Sequence, residues 1–96
     1  MLAAVQLTEQ NPEAVVYICP SGKKAFIYVD ICPSSYYGYN YVTVYVNNIQ
    51  YGRFLLDRHI SIRLTLDEND SIRVVASLLG YWFVNVFVHG IEVNKI

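Results

Sequence analysis

ISIRLTLDENDSIRVVAS, residues 60 to 77, decides the fold class. Ile60, Ile62, Leu64 and Leu66 alternate with Ser61, Arg63 and Thr65, and Ile72, Val74, Ala76 and Leu78 repeat the pattern. A period of two turns one side of a strand toward a core and the other toward water. Between the two runs, Asp67, Glu68, Asn69 and Asp70 form a polar turn whose short side chains bond nearby backbone and tolerate left-handed conformations. The stretch reads as a hairpin with one buried face and predicts an antiparallel β protein, with Val44, Leu64, Ile72 and Val86 in its core.

The flanking sequence continues the period. Ala25, Ile27, Val29 and Ile31 face inward with Phe26, Tyr28 and Asp30 opposite, and Pro33 ends that strand. Val42, Val44 and Val46 alternate with Tyr41, Thr43 and Tyr45; Tyr51 to Leu56 reads as a further short strand. Toward the C-terminus, Trp82, Val84, Val86 and Val88 take one face and Phe83, Asn85, Phe87 and His89 the other, until Gly90 interrupts as a bulge would. Ala3, Val5 and Leu7 alternate briefly, so residues 1 to 13 read as an N-terminal strand or arm and 14 to 96 as a single domain. No stretch keeps a helical period over three turns. Seven or eight short strands at intervals of about 8 to 12 residues predict a β-sandwich or jelly roll.

A domain of 96 residues buries only roughly 60 to 65% of the surface its unfolded chain exposes, so a partner would add useful stabilisation. The net charge of −1, with both signs scattered, gives no electrostatic footprint for nucleic acid or an anionic membrane. The longest apolar run, Leu78 to Val84, falls well short of the roughly 18 to 20 residues of a membrane span. The N-terminal MLAAVQLTEQ lacks the basic region and apolar core of an export signal, so a soluble chain made and kept inside the cell is expected.

Cys19 and Cys32 each sit in the tetrapeptide ICPS, at residues 18 to 21 and 31 to 34. If Pro20 to Lys23 turns one strand into its partner, the two thiols lie at opposite ends of the pair. That is beyond the Cα separation of about 7 Å that a disulfide permits, so free thiols are expected. Two cysteines at this spacing also cannot close a zinc site.

The residues point away from catalysis. His59 and His89 stand thirty residues apart without a metal-ligand spacing, and read as surface histidines. Asp67, Glu68 and Asp70 lack the glycine and distal glutamate of an EF-hand loop. No nucleophile elbow or phosphate-binding glycine pattern is present, and no enzyme activity, metal or cofactor is expected.

Aromatic residues carry what functional signal there is. Tyr36, Tyr37, Tyr39 and Tyr41 cluster in or beside the loop SSYYGYN, where tyrosines pack over a sandwich rim, anchor a protein contact or stack on sugar rings. Phe26, Tyr28, Tyr41, Tyr45, Val75, Phe83 and Phe87 lie opposite the core positions of four strands. At about 150 to 250 Å² each, four exposed aromatics would form a patch of roughly 600 to 1,000 Å², more than the roughly 300 to 600 Å² of a monomer's largest patch. Another subunit is expected to cover at least one sheet, unless these side chains divide between two sheets.

Pro20, Gly22, Lys23, Lys24 and Ala25, then Val42-x-Val44-x-Val46, then Leu64-x-Leu66 with Asp70-Ser71-Ile72, then Gly90-Ile91-Glu92, resemble the small β-sandwich virion proteins of tailed bacteriophages. The chain departs from that pattern at Asp67-Glu68-Asn69, where Pro-Gly is more usual, and at Asp30-Ile31-Cys32-Pro33, where a polar strand end is expected. The resemblance implies a capsid decoration (cement) protein, or a tail or fibre component. It further implies a homo-oligomer, most often a trimer, joined to other virion proteins such as the major capsid protein and assembled in the host cytoplasm. A carbohydrate-binding module is the alternative from another class.

Overall fold

The computed structural model describes residues 1–36 and 38–96. It is all β, eight strands in two four-stranded antiparallel sheets packed face to face. In chain order these are β1 (Ala3–Thr8), β2 (Glu13–Ile18), β3 (Lys23–Pro33), β4 (Tyr41–Val46), β5 (Ile49–Leu55), β6 (Ile60–Leu66), β7 (Ser71–Ser77) and β8 (Phe83–Asn94). One sheet has the order β1-β8-β3-β6 and the other β2-β7-β4-β5. The first half of the chain pairs with the second in reverse, β1 with β8, β2 with β7, β3 with β6 and β4 with β5. Closure by β3 on β8 and β4 on β7 wraps this long folded ribbon into a jelly roll.

That wrapping corrects the hairpin expected for residues 60 to 77. β6 belongs to one sheet and β7 to the other, so Asp67 to Asp70 cross between layers. Alternation specifies which side chains face the core, and here both strands obey it, but it does not name a strand's neighbour. The crossing is held by its own polar groups. Asp67 N donates to Asp70 Oδ2 at 2.8 Å, Asp70 N to Asp67 O at 3.1 Å, and Asn69 adopts φ 65. Cys19 N donates to Asp70 O at 2.9 Å and Asn69 N to Cys19 O at 2.8 Å, tying the turn to the end of β2. Among the described residues, only β4 and β5 are both consecutive and paired. Their connection, Asn47-Asn48, has φ 52 and 64, the left-handed pair that matches strand twist in a two-residue turn.

Pro20 to Gly22 likewise lead from one sheet to the other, so β2 and β3 are not the partner strands assumed in placing the cysteines. Both thiols are nonetheless free, Cys19 buried and Cys32 half-buried. Along the middle of β3, β4, β7 and β8 the inward positions are enclosed, including Ile27, Val44, Ile72 and Val86, while Val46 and Glu92 toward the strand ends are half-buried. Leu64 is only half-buried, a correction to its expected core position, because β6 is an edge strand; Leu66, two residues on, is enclosed. Gly90 is not a bulge: pairing of β3 with β8 runs unbroken from Lys23↔Asn94 to Pro33↔Val84. The register shifts lie between Val15 and Tyr17 and between Val44 and Tyr45. Glycine stands at position 90 because φ is +146 and a Cβ would lie 2.1 Å from Phe26 O.

Candidate functional site, an aromatic sheet face and a tyrosine-bearing end

The strand registers assign each aromatic to a surface. On the outer face of the β1-β8-β3-β6 sheet, Phe26 lies between Thr65 and Ile91, and Tyr28 between Arg63 and His89. The next row runs Ser61, Asp30, Phe87 and Ala4, and Phe83 follows toward the strand end beside Thr8. Phe26 is 44% exposed, Tyr28 46%, Phe83 36% and Ile91 61%. With Val93, and at roughly 150 to 250 Å² per large side chain, the face offers about 400 Å² of apolar surface. The expected larger patch does not form, because Tyr41, Tyr45 and Val75 stand on the other sheet.

On that second sheet Tyr41 and Tyr45 are already covered, whereas Tyr51 on β5 is 51% exposed. The Arg53 guanidinium lies 4.3 Å from the Tyr41 ring centroid and that of Arg73 4.1 Å from the Tyr45 ring, while Arg73 Nη1 also donates to Glu13 Oε2 at 3.2 Å. A cation over each aromatic face satisfies its quadrupole and leaves little of the ring bare. Arg63 sits farther from Tyr28, at 5.5 Å, and that ring stays open.

Asp30 lies within the aromatic face with an imidazole on either side. His89 Nε2 is 3.4 Å from its Oδ2 and His59 Nε2 is 3.8 Å from its Oδ1. These contacts are ion pairs only while the imidazoles carry a proton. Sequence reasoning missed the cluster because its members come from β3, the β5–β6 connection and β8, with no spacing to link them. Among the described residues no three His, Cys, Asp or Glu side chains are placed to hold a metal ion.

Residues 34–36 and 38–40 and the connections 56–59 and 78–82 gather at one end of the sandwich. Asn40 is buried and ties them together, its O accepting from Leu56 N at 2.8 Å and its Oδ1 from Leu79 N at 3.0 Å. Ser34 Oγ accepts from Phe83 N at 3.0 Å, joining this end to the aromatic sheet face. Tyr36 and Tyr39 project from this framework, 63% and 69% exposed. Tyr37 lies outside the described residues. Tyr81, which the sequence pattern did not single out, is fully exposed on the neighbouring connection, where Gly80 has φ 63.

A cleft of about 440 Å³ opens between the edges of β5 and β6, lined by Arg53, Phe54, Leu55, Arg58, His59, Ile60 and Ser61. Arg58 is held against Asp57 at 3.0 Å, which keeps that carboxyl below its usual range. No helix in the described residues is long and apolar enough to cross a membrane. No family model and no curated protein matches the chain.

Proposed function

We propose that this chain is a non-enzymatic structural subunit that works through surface contact, a virion component of a tailed bacteriophage with capsid decoration ahead of a tail or fibre role. The observation that carries the contact function is the sheet face on which Phe26, Tyr28 and Ile91 lie uncovered in adjoining rows, with Phe83 exposed farther along β8. Its roughly 400 Å² is about half of one side of an ordinary interface, near 800 Å², so it serves as the apolar centre of a larger contact. The turn pattern quoted above supplies the virion setting by resemblance. Jelly rolls host viral capsid proteins, which agrees with that setting as an analogy of fold. In this role the chain self-associates, with a trimer favoured by the resemblance, and binds the major capsid protein.

A sugar-binding module is the second reading, favoured by the exposure of Tyr36, Tyr39 and Tyr81 at one end and by the lectins built on the same architecture. Co-sedimentation with capsid shells lacking the protein, run beside a glycan array, separates the two. Retention on shells, lost in Phe26→Ser and Tyr28→Ser, is expected. Glycan binding abolished by Tyr36→Ala, with no retention on shells, would replace the decoration role.

A further inference from the structure

Apart from Val46 on the inner strand β4, the half-buried members of the core fall toward the two lateral sides of the sandwich. Ala3 and Val5 lie on β1 and Ala14 on β2, at one lateral side of the sandwich; Phe54, Ile60 and Leu64 lie on β5 and β6, at the other. β1 and β2 pack against each other, whereas β5 and β6 separate around the cleft. All eight strands pair antiparallel, so three steps across each sheet leave its two edge strands running in opposite directions, β1 against β6 and β2 against β5. A second copy set alongside in the same orientation therefore presents β1 antiparallel to β6, and β2 antiparallel to β5, with inward faces still inward. The charges agree with that placement. Exposed Glu9 flanks the β1–β2 connection and Arg53 and His59 line the cleft at the same end of the sandwich, while Glu13 and Arg58 are already paired within the chain, with Arg73 and Asp57.

We infer that the β1/β2 side of one copy docks head to tail into the β5/β6 cleft of the next, pairing β1 on β6 so that the sheet bearing the aromatic face continues from subunit to subunit. This inference rests on the self-association proposed above and names its surface. Because the two sides differ, the contact is heterologous. Rotation about an axis parallel to the strands closes it into a ring, whereas pure translation would propagate it. With Ala4 opposite Ser61, docking sets Val5 opposite Ile60 and Ala3 opposite Ile62 with Leu64 diagonal to it, covering Ile60 and Leu64, which the isolated subunit leaves half-wet. It also removes both edges of the aromatic sheet, edges that β1 and β6 expose without a proline or a register shift. The outer aromatic face stays open for a different partner.

Carrying the rows of one subunit into the next sets Ala4 opposite Ser61, both exposed and on the outer face. Within one chain these positions are three strand spacings apart, about 14 Å, too far for a disulfide. The test uses the full chain with Cys32→Ser, adding Ala4→Cys and Ser61→Cys together, with Arg63→Cys in place of Ser61→Cys to cover a two-residue slip. Mild oxidation should yield covalent species of two or more chains from a double variant and none from any single variant. Cross-linking in Ala4→Cys alone would indicate a symmetric β1 contact and overturn the head-to-tail arrangement. An oligomer by light scattering that neither double variant cross-links overturns this interface while leaving self-association intact; a monomer at micromolar concentration overturns both.

Discussion

Tyr17 on β2 donates its phenolic hydrogen to Glu92 Oε2 on β8 at 2.5 Å, a bond that joins the two sheets near the end of the core. Glu92 occupies an inward position opposite Ala25, and the phenol answers the carboxylate there. Tyr17→Phe should cost about 1 to 3 kcal/mol in chemical denaturation, because the half-buried carboxylate keeps its inward position and loses its donor. Burial, and then the bond to Glu92, push the Tyr17 phenol well above its ordinary value of 10.0. The unfolded chain thus releases this proton at a lower pH than the folded one. The stabilisation is complete below about pH 10 and is lost as pH rises beyond it. Alkaline melting temperatures should fall in the native chain, and Tyr17→Phe should flatten that fall; an unchanged alkaline profile would remove Tyr17 as its source.

Gly90→Ala should be severe although the position is exposed. The new methyl would meet Phe26 O and Ile27 Cα across the unbroken β3–β8 register, and the residue would hold φ +146. Backbone strain and overpacking together predict a loss of roughly 2 to 4 kcal/mol. An alanine at Gly22, where a Cβ meets nothing within 4 Å, carries only the conformational cost and is the control for a substitution at φ +76. Equal effects at the two sites would deny the close approach.

How far the sequence could be read follows from what alternation encodes. It places Ile27, Val44, Ile72 and Val86 inward correctly because every strand has one core face. It is silent on neighbours, since a four-residue polar turn serves as well between layers as within one; hence the misplaced hairpin at Asp67 to Asp70. The same silence put Phe26, Tyr28, Tyr41 and Tyr45 in one patch, when β3 and β4 belong to different sheets. Asp30, His59 and His89 meet only through long-range pairing, and no local pattern could announce them.

The thiols separate by burial. Cys19 is enclosed and its Sγ lies 3.5 Å from Lys23 O, while burial raises both thiols above their ordinary value. Two reactive groups per chain are expected in a thiol titration under denaturing, non-reducing conditions. In the native protein Cys32, half-buried, should be modified before Cys19. Equal native rates would place Cys19 in solvent contact and contradict its enclosure.

Leu64 and Leu66 share a strand and a face, yet differ in what surrounds them. Leu66 is 1% exposed, opposite Ala25, and Leu64 is half-buried, opposite Ile27 on the edge strand β6. Leu66→Ala should cost about 3 to 5 kcal/mol, as for a methyl cluster removed from a closed core. Leu64→Ala should cost less, about 1 to 2 kcal/mol, because part of the side chain is already hydrated at the open edge of the sheet. Urea denaturation of the two variants at a concentration low enough to keep the chain monomeric gives the comparison. A second measurement at high concentration then reports whether a neighbouring subunit covers this edge. The Leu64→Ala cost should rise with concentration, while the Leu66→Ala cost should change only through the mass-action stabilisation common to both. A Leu64 cost as large as that of Leu66 in the monomer would mean that β6 is closed over without a partner, and that the open side of the sandwich is not the place where subunits meet.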